Sequence, residues 1–207
     1  MVVVLQRIRL LTLAAEGEIL VPFRLEVLET DQGENELFGA QYTGMGWRNF
    51  PTFTLSRDDT ARYEQLVERE DLLETMGYLN VAFGLFRESY HLHQMYGFLM
   101  LFSALEAVLG GNESNLKEKL SWRSVVILND MTDGPDSVKE RVRSLYKLRC
   151  DVLHANLVDE KRSYSVTYED MIEVRGITRR VIVKALELGL DKKSLLELLD
   201  GRSSDTS

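Results

Sequence analysis

The hydrophobic positions change period near residue 55. Before it, Val2–Leu13 is rich in β-branched and aliphatic residues, and Ile19–Glu29 alternates, with Phe23, Leu25 and Val27 on one side at period two. The string from Asp31 to Asn35 reads as a turn, and Leu37–Tyr42 is placed to pair back. Gly44, Gly46 and Pro51 then punctuate a loop that carries Trp47 and Phe50. This pattern predicts a small β-rich segment over residues 1–55.

From Ser56 the spacing becomes helical. Ser56 with Asp59 three residues on has the form of an N-cap, and Tyr63, Leu66 and Val67 follow at helical intervals. A helix is predicted from about Leu72 to Tyr90, carrying Leu73, Met76, Leu79, Phe83 and Phe86. Another, from Met95 to Leu109, stops at Gly110-Gly111. A third runs from Ser114 to Leu128. Pro135 sits at a helix-start position for a fourth, Asp136 to His154. A fifth spans Tyr168 to Leu188 and closes at Gly189, and Asp191 is placed to cap a short last helix to Leu199. The reading is mainly α: a bundle of five or six helices over residues 56–200, a β-rich start, and a flexible tail over 201–207.

Composition narrows the function classes. One Cys among 207 residues excludes a disulfide framework and a cysteine-built zinc site. The longest uncharged stretch, between Glu88 and Glu106, contains His91, His93 and Gln94, and its apolar part is shorter than the ~20 residues a membrane span needs. Arg7 and Arg9 interrupt the first apolar run, so no signal peptide is read and a cytoplasmic protein is expected. A net charge of −8 argues against indiscriminate coating of nucleic acid. The charge is uneven, however. Residues 1–113 hold 8 basic and 17 acidic side chains, whereas residues 114–154 hold 8 basic and 6 acidic. Lys139, Arg141, Arg143, Lys147 and Arg149 concentrate that excess on the fourth helix, where they either focus an anion or simply complement the helix dipole.

The most informative string is LYKLRCDVLHA, Leu145 to Ala155. Arg149 offers a planar fork of donors for a phosphate, and His154 a side chain suited to proton transfer near neutral pH. Together they make a minimal kit for cleaving RNA without a metal. On an ideal helix they stand about 140° apart, so the Arg side chain or local unwinding near His154 must close the gap. The structural alternative is an Arg149 paired to Asp151 or Glu106, with His154 capping helix carbonyls. Cys150 reads as a small buried residue rather than a nucleophile. His91-Leu92-His93 is an H-x-H pair without further ligands nearby, which reads as a polar corner. Glu68, Glu70, Asp71 and Glu74 read as a solvated face. Trp47 and Phe50 could stack a base or plug the loop onto the bundle. No nucleotide-cofactor or nucleophile-elbow string occurs, and no cofactor is expected.

Three strings in order, FSALEAVLGG (Phe102–Gly111), LKEKLSWRSVVIL (Leu116–Leu128) and LYKLRCDVLHA, resemble the Apea-like HEPN domain of prokaryotic defence proteins. YLNVAFGLFRESY (Tyr78–Tyr90) is similar to the helix that precedes the first. The resemblance covers roughly residues 72–200. It implies a helical bundle that usually dimerises, with Arg and His of each protomer lining a shared cleft. Active members are metal-independent endoribonucleases or nucleotide-modifying toxins, and others bind RNA or a protein partner. Carried over, Arg149 contacts the scissile phosphate and His154 handles the proton. Glu106 orients or satisfies Arg149, and Arg123 partners Glu106 or contacts ligand. Active members often carry a polar residue directly after the Arg. Here it is Cys150, with Asp151 one place on as a substitute, and Ala155 stands where a Gly often follows the His.

Overall fold

The computed structural model describes residues 10–15, 23–29, 35–42, 56–129, 135–158 and 166–201. Among them, residues 10–14 are helical (α1), and Phe23–Glu29 (β1) pairs antiparallel with Asn35–Tyr42 (β2), Phe23 opposite Tyr42 and a register shift at Glu26–Val27. The helices then follow as α2 (Arg57–Val67), α3 (Glu70–Thr75), α4 (Gly77–Glu88) and α5 (Gln94–Leu109). After them come α6 (Leu116–Ile127), α7 (Pro135–Val158), α8 (Tyr168–Leu188) and α9 (Lys192–Gly201).

The chain is mainly helical, and three expectations are corrected. The β-rich segment over residues 1–55 amounts, among the described residues, to one hairpin and a helical turn. Residues 10–14 were expected extended, but Leu10, Leu13 and Ala14 recur at helical spacing and are buried in the bundle core. The helix expected over Leu72–Tyr90 is two helices. Met76 is extended (φ −96°, ψ 98°) and ends α3, and Gly77 begins α4. The helix expected to end at His154 continues to Val158, so nothing unwinds at that histidine. The loop residues Trp47 and Phe50, and the tail 202–207, lie outside the described residues.

α5 is the axis of the bundle. Its sequence is apolar almost all round, which is the signature of a helix covered on every side. Phe98, Leu101, Phe102, Leu105, Val108 and Leu109 are all buried. α4, α6, α7 and α8 pack around it. Phe98 and Phe102 meet edge-on, centroids 5.1 Å apart, and Phe102 meets Tyr146 of α7 the same way at 6.1 Å. Gly97 lets α5 pass close to the preceding corner: a Cβ there would lie 2.8 Å from the Ser89 carbonyl oxygen.

The helix ends are fixed by side chains that the sequence marks. Ser56 and Asp59 form a full capping box on α2, and Thr167 and Asp170 form another on α8. Gly189 takes the left-handed conformation (φ 60°) that ends α8. Asp191 accepts from the backbone of Lys193 and Ser194 at the start of α9. Cations from distant elements close the carbonyl ends. Arg69 donates to the Leu186 and Glu187 carbonyls at the end of α8. Lys192 donates to those of Ala107 and Val108 at the end of α5, at 2.7 and 2.5 Å.

Lys192 carries a pH signature. Burial, helped by the nearby Arg123 charge, holds its ammonium down to about 8 from 10.5. Between those values the unfolded chain binds more protons than the folded one, so this residue makes stability rise with pH. Tyr78, its neighbour, acts oppositely above 10.0, because burial pushes its hydroxyl up to about 12. Urea midpoints are therefore expected to climb between about pH 8 and pH 10 relative to Lys192→Met. Parallel pH curves for the two proteins would show that Lys192 is not the source.

Candidate functional site

The site is built on the contact between α5 and α7. Glu106 lies one helical turn beyond Phe102, and Arg149 lies three residues beyond Tyr146. The aromatic contact between Phe102 and Tyr146 therefore brings the next layer, Glu106 and Arg149, into register. Arg149 Nη2 donates to Glu106 Oε2 at 3.4 Å and lies 3.2 Å from Oε1. The guanidinium carbon sits 5.4 Å from the Tyr146 ring centroid, a cation–π distance.

Both charged groups are mostly buried, with 23% of the Arg149 and 22% of the Glu106 side chain exposed. Burial raises the Glu106 carboxyl above its ordinary value, and the Arg149 charge pulls the other way without cancelling it. Glu106 Oε1 is buried and makes no hydrogen bond of good geometry. Tyr146 is raised as well, by burial first.

His154 is exposed and has no hydrogen-bonding or ionic partner among the described residues. It does not cap the last carbonyls, because α7 runs four residues past it. Five residues of unbroken helix place it about 140° around and about 7.5 Å along the axis from Arg149. Asp151 and Cys150 are half-buried, and Cys150 is a free thiol. Asp151 does not hold Arg149.

Arg123 stands elsewhere. Only 1% of its side chain is exposed, and it is not a partner of Glu106. Its Nη1 donates to the Leu109 carbonyl at 2.7 Å, its Nε and Nη2 to Asp200 at 2.9 and 2.7 Å, and Nη2 also to Glu113. It is a structural cation joining α6 to the end of α5 and to α9.

The basic strip expected on the fourth helix is largely neutralised. Arg141 pairs with Glu173 through two nitrogens. Arg143 pairs with Glu118 and, at 2.7 Å, with Glu140. Arg149 pairs with Glu106. Lys139 lies over the Trp122 ring, 5.5 Å from its centroid, which leaves Lys147 exposed. His91 is exposed and His93 is the N-cap residue of α5. Among the described residues no group of three or more His, Cys, Asp or Glu is placed to hold a metal ion. Glu68, Asp71 and Glu74 are exposed. No described helix is long and apolar enough to cross a membrane.

No family model matches the chain, and neither a curated protein nor a solved structure is significantly similar to it.

Proposed function

We propose that the chain is a HEPN-type, metal-independent endoribonuclease or RNA-directed toxin of a prokaryotic defence or stress response. Arg149 and His154 would act at a cleft between two copies. One observation carries this reading. The Arg149 fork is held by Glu106 and Tyr146 at a partly exposed site, while five residues on the same helix presents an unpartnered His154 to solvent. Within one helix the two diverge. Across a two-fold axis, the histidine of one α7 can approach the arginine of the other. There the guanidinium would hold the phosphate oxygens and the imidazole would move the proton at the ribose 2′-hydroxyl or the leaving oxygen.

The test is incubation of the purified chain with cellular RNA in excess chelator, with the new strand ends mapped. Cleavage is expected, and its rate should depend on dimer concentration. Intact RNA under all such conditions sinks the catalytic reading.

A second reading is a non-catalytic HEPN module that binds RNA or a protein partner. Two observations favour it: Cys150 in place of a polar residue, and the pairing of the α7 arginines with carboxylates. In that case Arg149→Ala weakens RNA binding in a salt-dependent way and His154→Ala leaves it unchanged.

A further inference from the structure

The last turn of α5 is gripped from two sides. On one side its Glu106 holds the Arg149 fork of α7. On the other stands α9. A helix leaves its final carbonyls without intrahelical donors, and an end left open frays. Here each of the last four is satisfied. The Glu106 carbonyl accepts from the Gly110 amide at 2.7 Å, those of Ala107 and Val108 from Lys192, and that of Leu109 from Arg123. Three of these four bonds come from cations outside α5, and Lys192 supplies two of them.

Lys192 is itself held in place. It is the first residue of α9, whose start is fixed by Asp191 accepting from the Lys193 and Ser194 backbones. The chain just before it is tied to α4. The Tyr78 hydroxyl donates to the Leu190 carbonyl at 2.7 Å, and the Lys192 ammonium lies 5.6 Å from the Tyr78 ring centroid. The far end of α9 returns to the same turn of α5, because Asp200 accepts from the Arg123 that caps Leu109. Asp200 also lies 3.2 Å from Lys119 Nζ. Between the two ends, Leu195 and Leu199 are buried. A short terminal helix with so few anchors is a unit that opens before the bundle does.

Glu106 is the residue of the shared turn that reaches α7. It is the partner that Arg149 has from another helix, whereas the Tyr146 ring belongs to Arg149's own. When α9 undocks, the Ala107 and Val108 carbonyls lose their donor and the turn frays. Glu106 moves with its backbone, and the Arg149 fork loses the group that aims it.

We propose that Lys192 is a positioning residue for the Glu106–Arg149 site: acting through the last turn of α5, it makes the aim of the Arg149 fork depend on the docking of α9. The coupling rests on these contacts alone, and its use in phosphate recognition rests on the ribonuclease reading.

Native-state hydrogen exchange on the wild-type chain in mild urea tests the coupling without a variant. The Gly110 amide, bonded to the Glu106 carbonyl, should open together with the Leu195 amide, bonded to the Asp191 carbonyl within α9. Their common urea dependence should be shallower than that of global unfolding. Independent opening of the two, or opening of both only with the whole bundle, overturns the proposal. Lys192→Met should speed exchange of the Gly110 amide about ten-fold. The Glu106 carboxyl, which burial holds above its ordinary value, should move back toward that value in the same variant, followed by carboxyl ¹³C titration. Lys192→Arg keeps a cation at the carbonyls and should restore both readouts. Ser56→Ala removes the α2 cap, lowers stability away from α5, and should change neither. An unchanged or higher Glu106 titration in folded Lys192→Met, an equal change in Ser56→Ala, or no rescue by Lys192→Arg also overturns it. None of these readouts contains RNA, so the coupling can fail while cleavage holds, and cleavage can fail while the coupling holds.

Discussion

Replacing His154 by alanine is expected to lower RNA cleavage by about 10²–10⁴-fold, the usual contribution of a general acid or base. The same change should leave the unfolding transition within about 0.5 kcal/mol of wild type. The two halves of this expectation have separate grounds. His154 is exposed and without a partner among the described residues, so folding has little to lose, and alanine is the better helix former. The rate has much to lose if the imidazole carries the proton. Arg149 is different, because it also holds Glu106. With Arg149→Ala, burial acts on the Glu106 carboxyl unopposed and raises it further, so stability falls along with rate. Arg149→Lys keeps the charge beside Glu106 but removes the fork, and should cost rate more than stability. A pH–rate profile with an acidic limb that disappears in His154→Ala would assign the proton to that residue. Equal cleavage by wild type and His154→Ala would remove it from the reaction.

Arg123→Ala is expected to lower the unfolding free energy by about 3–5 kcal/mol, measured by urea denaturation. Arg123 is the bulkiest of the fully buried side chains among the described residues, so its loss leaves a void. It also leaves the Leu109 carbonyl, Glu113 and Asp200 without the donor they share. Acid dependence gives a second readout. Hydrogen bonds from Arg123 hold the Glu113 and Asp200 carboxyls below 4.5 and 3.8. Their contribution is present above those values and is lost as pH falls through the lower folded ones. Wild type should therefore lose stability on acidification more steeply than the variant. Parallel acid curves, or a loss under about 1 kcal/mol, would contradict the role given to Arg123.

Local signals carried much of the fold. Ser56 with Asp59, Gly110, Gly189 and Asp191 each mark a helix end by chemistry that acts within four residues, and each is found there. The break at Met76–Gly77 was not legible, because Leu73, Met76 and Leu79 keep a helical period across it. Leu10–Ala14 was misread because a short aliphatic run suits strand or helix until something covers it. At the site, the Glu106–Arg149 contact was one of two partners the string allowed, and helix direction alone could not choose between Glu106 and Asp151. Arg123 was assigned to the wrong neighbour for a plainer reason: its acceptors lie 14 residues back and 77 residues ahead in the chain.

The clamp around Arg123 also sets a clock. The guanidinium enters the chain 77 residues before Asp200, and at ~5–20 residues per second that interval is roughly 4–15 s of synthesis. During it α5 and α6 exist without the helix that supplies both Asp200 and Lys192. Until α9 is made, the buried guanidinium of Arg123 lacks its Asp200 acceptor, so a helix synthesised well after α6 is the one that locks it in place.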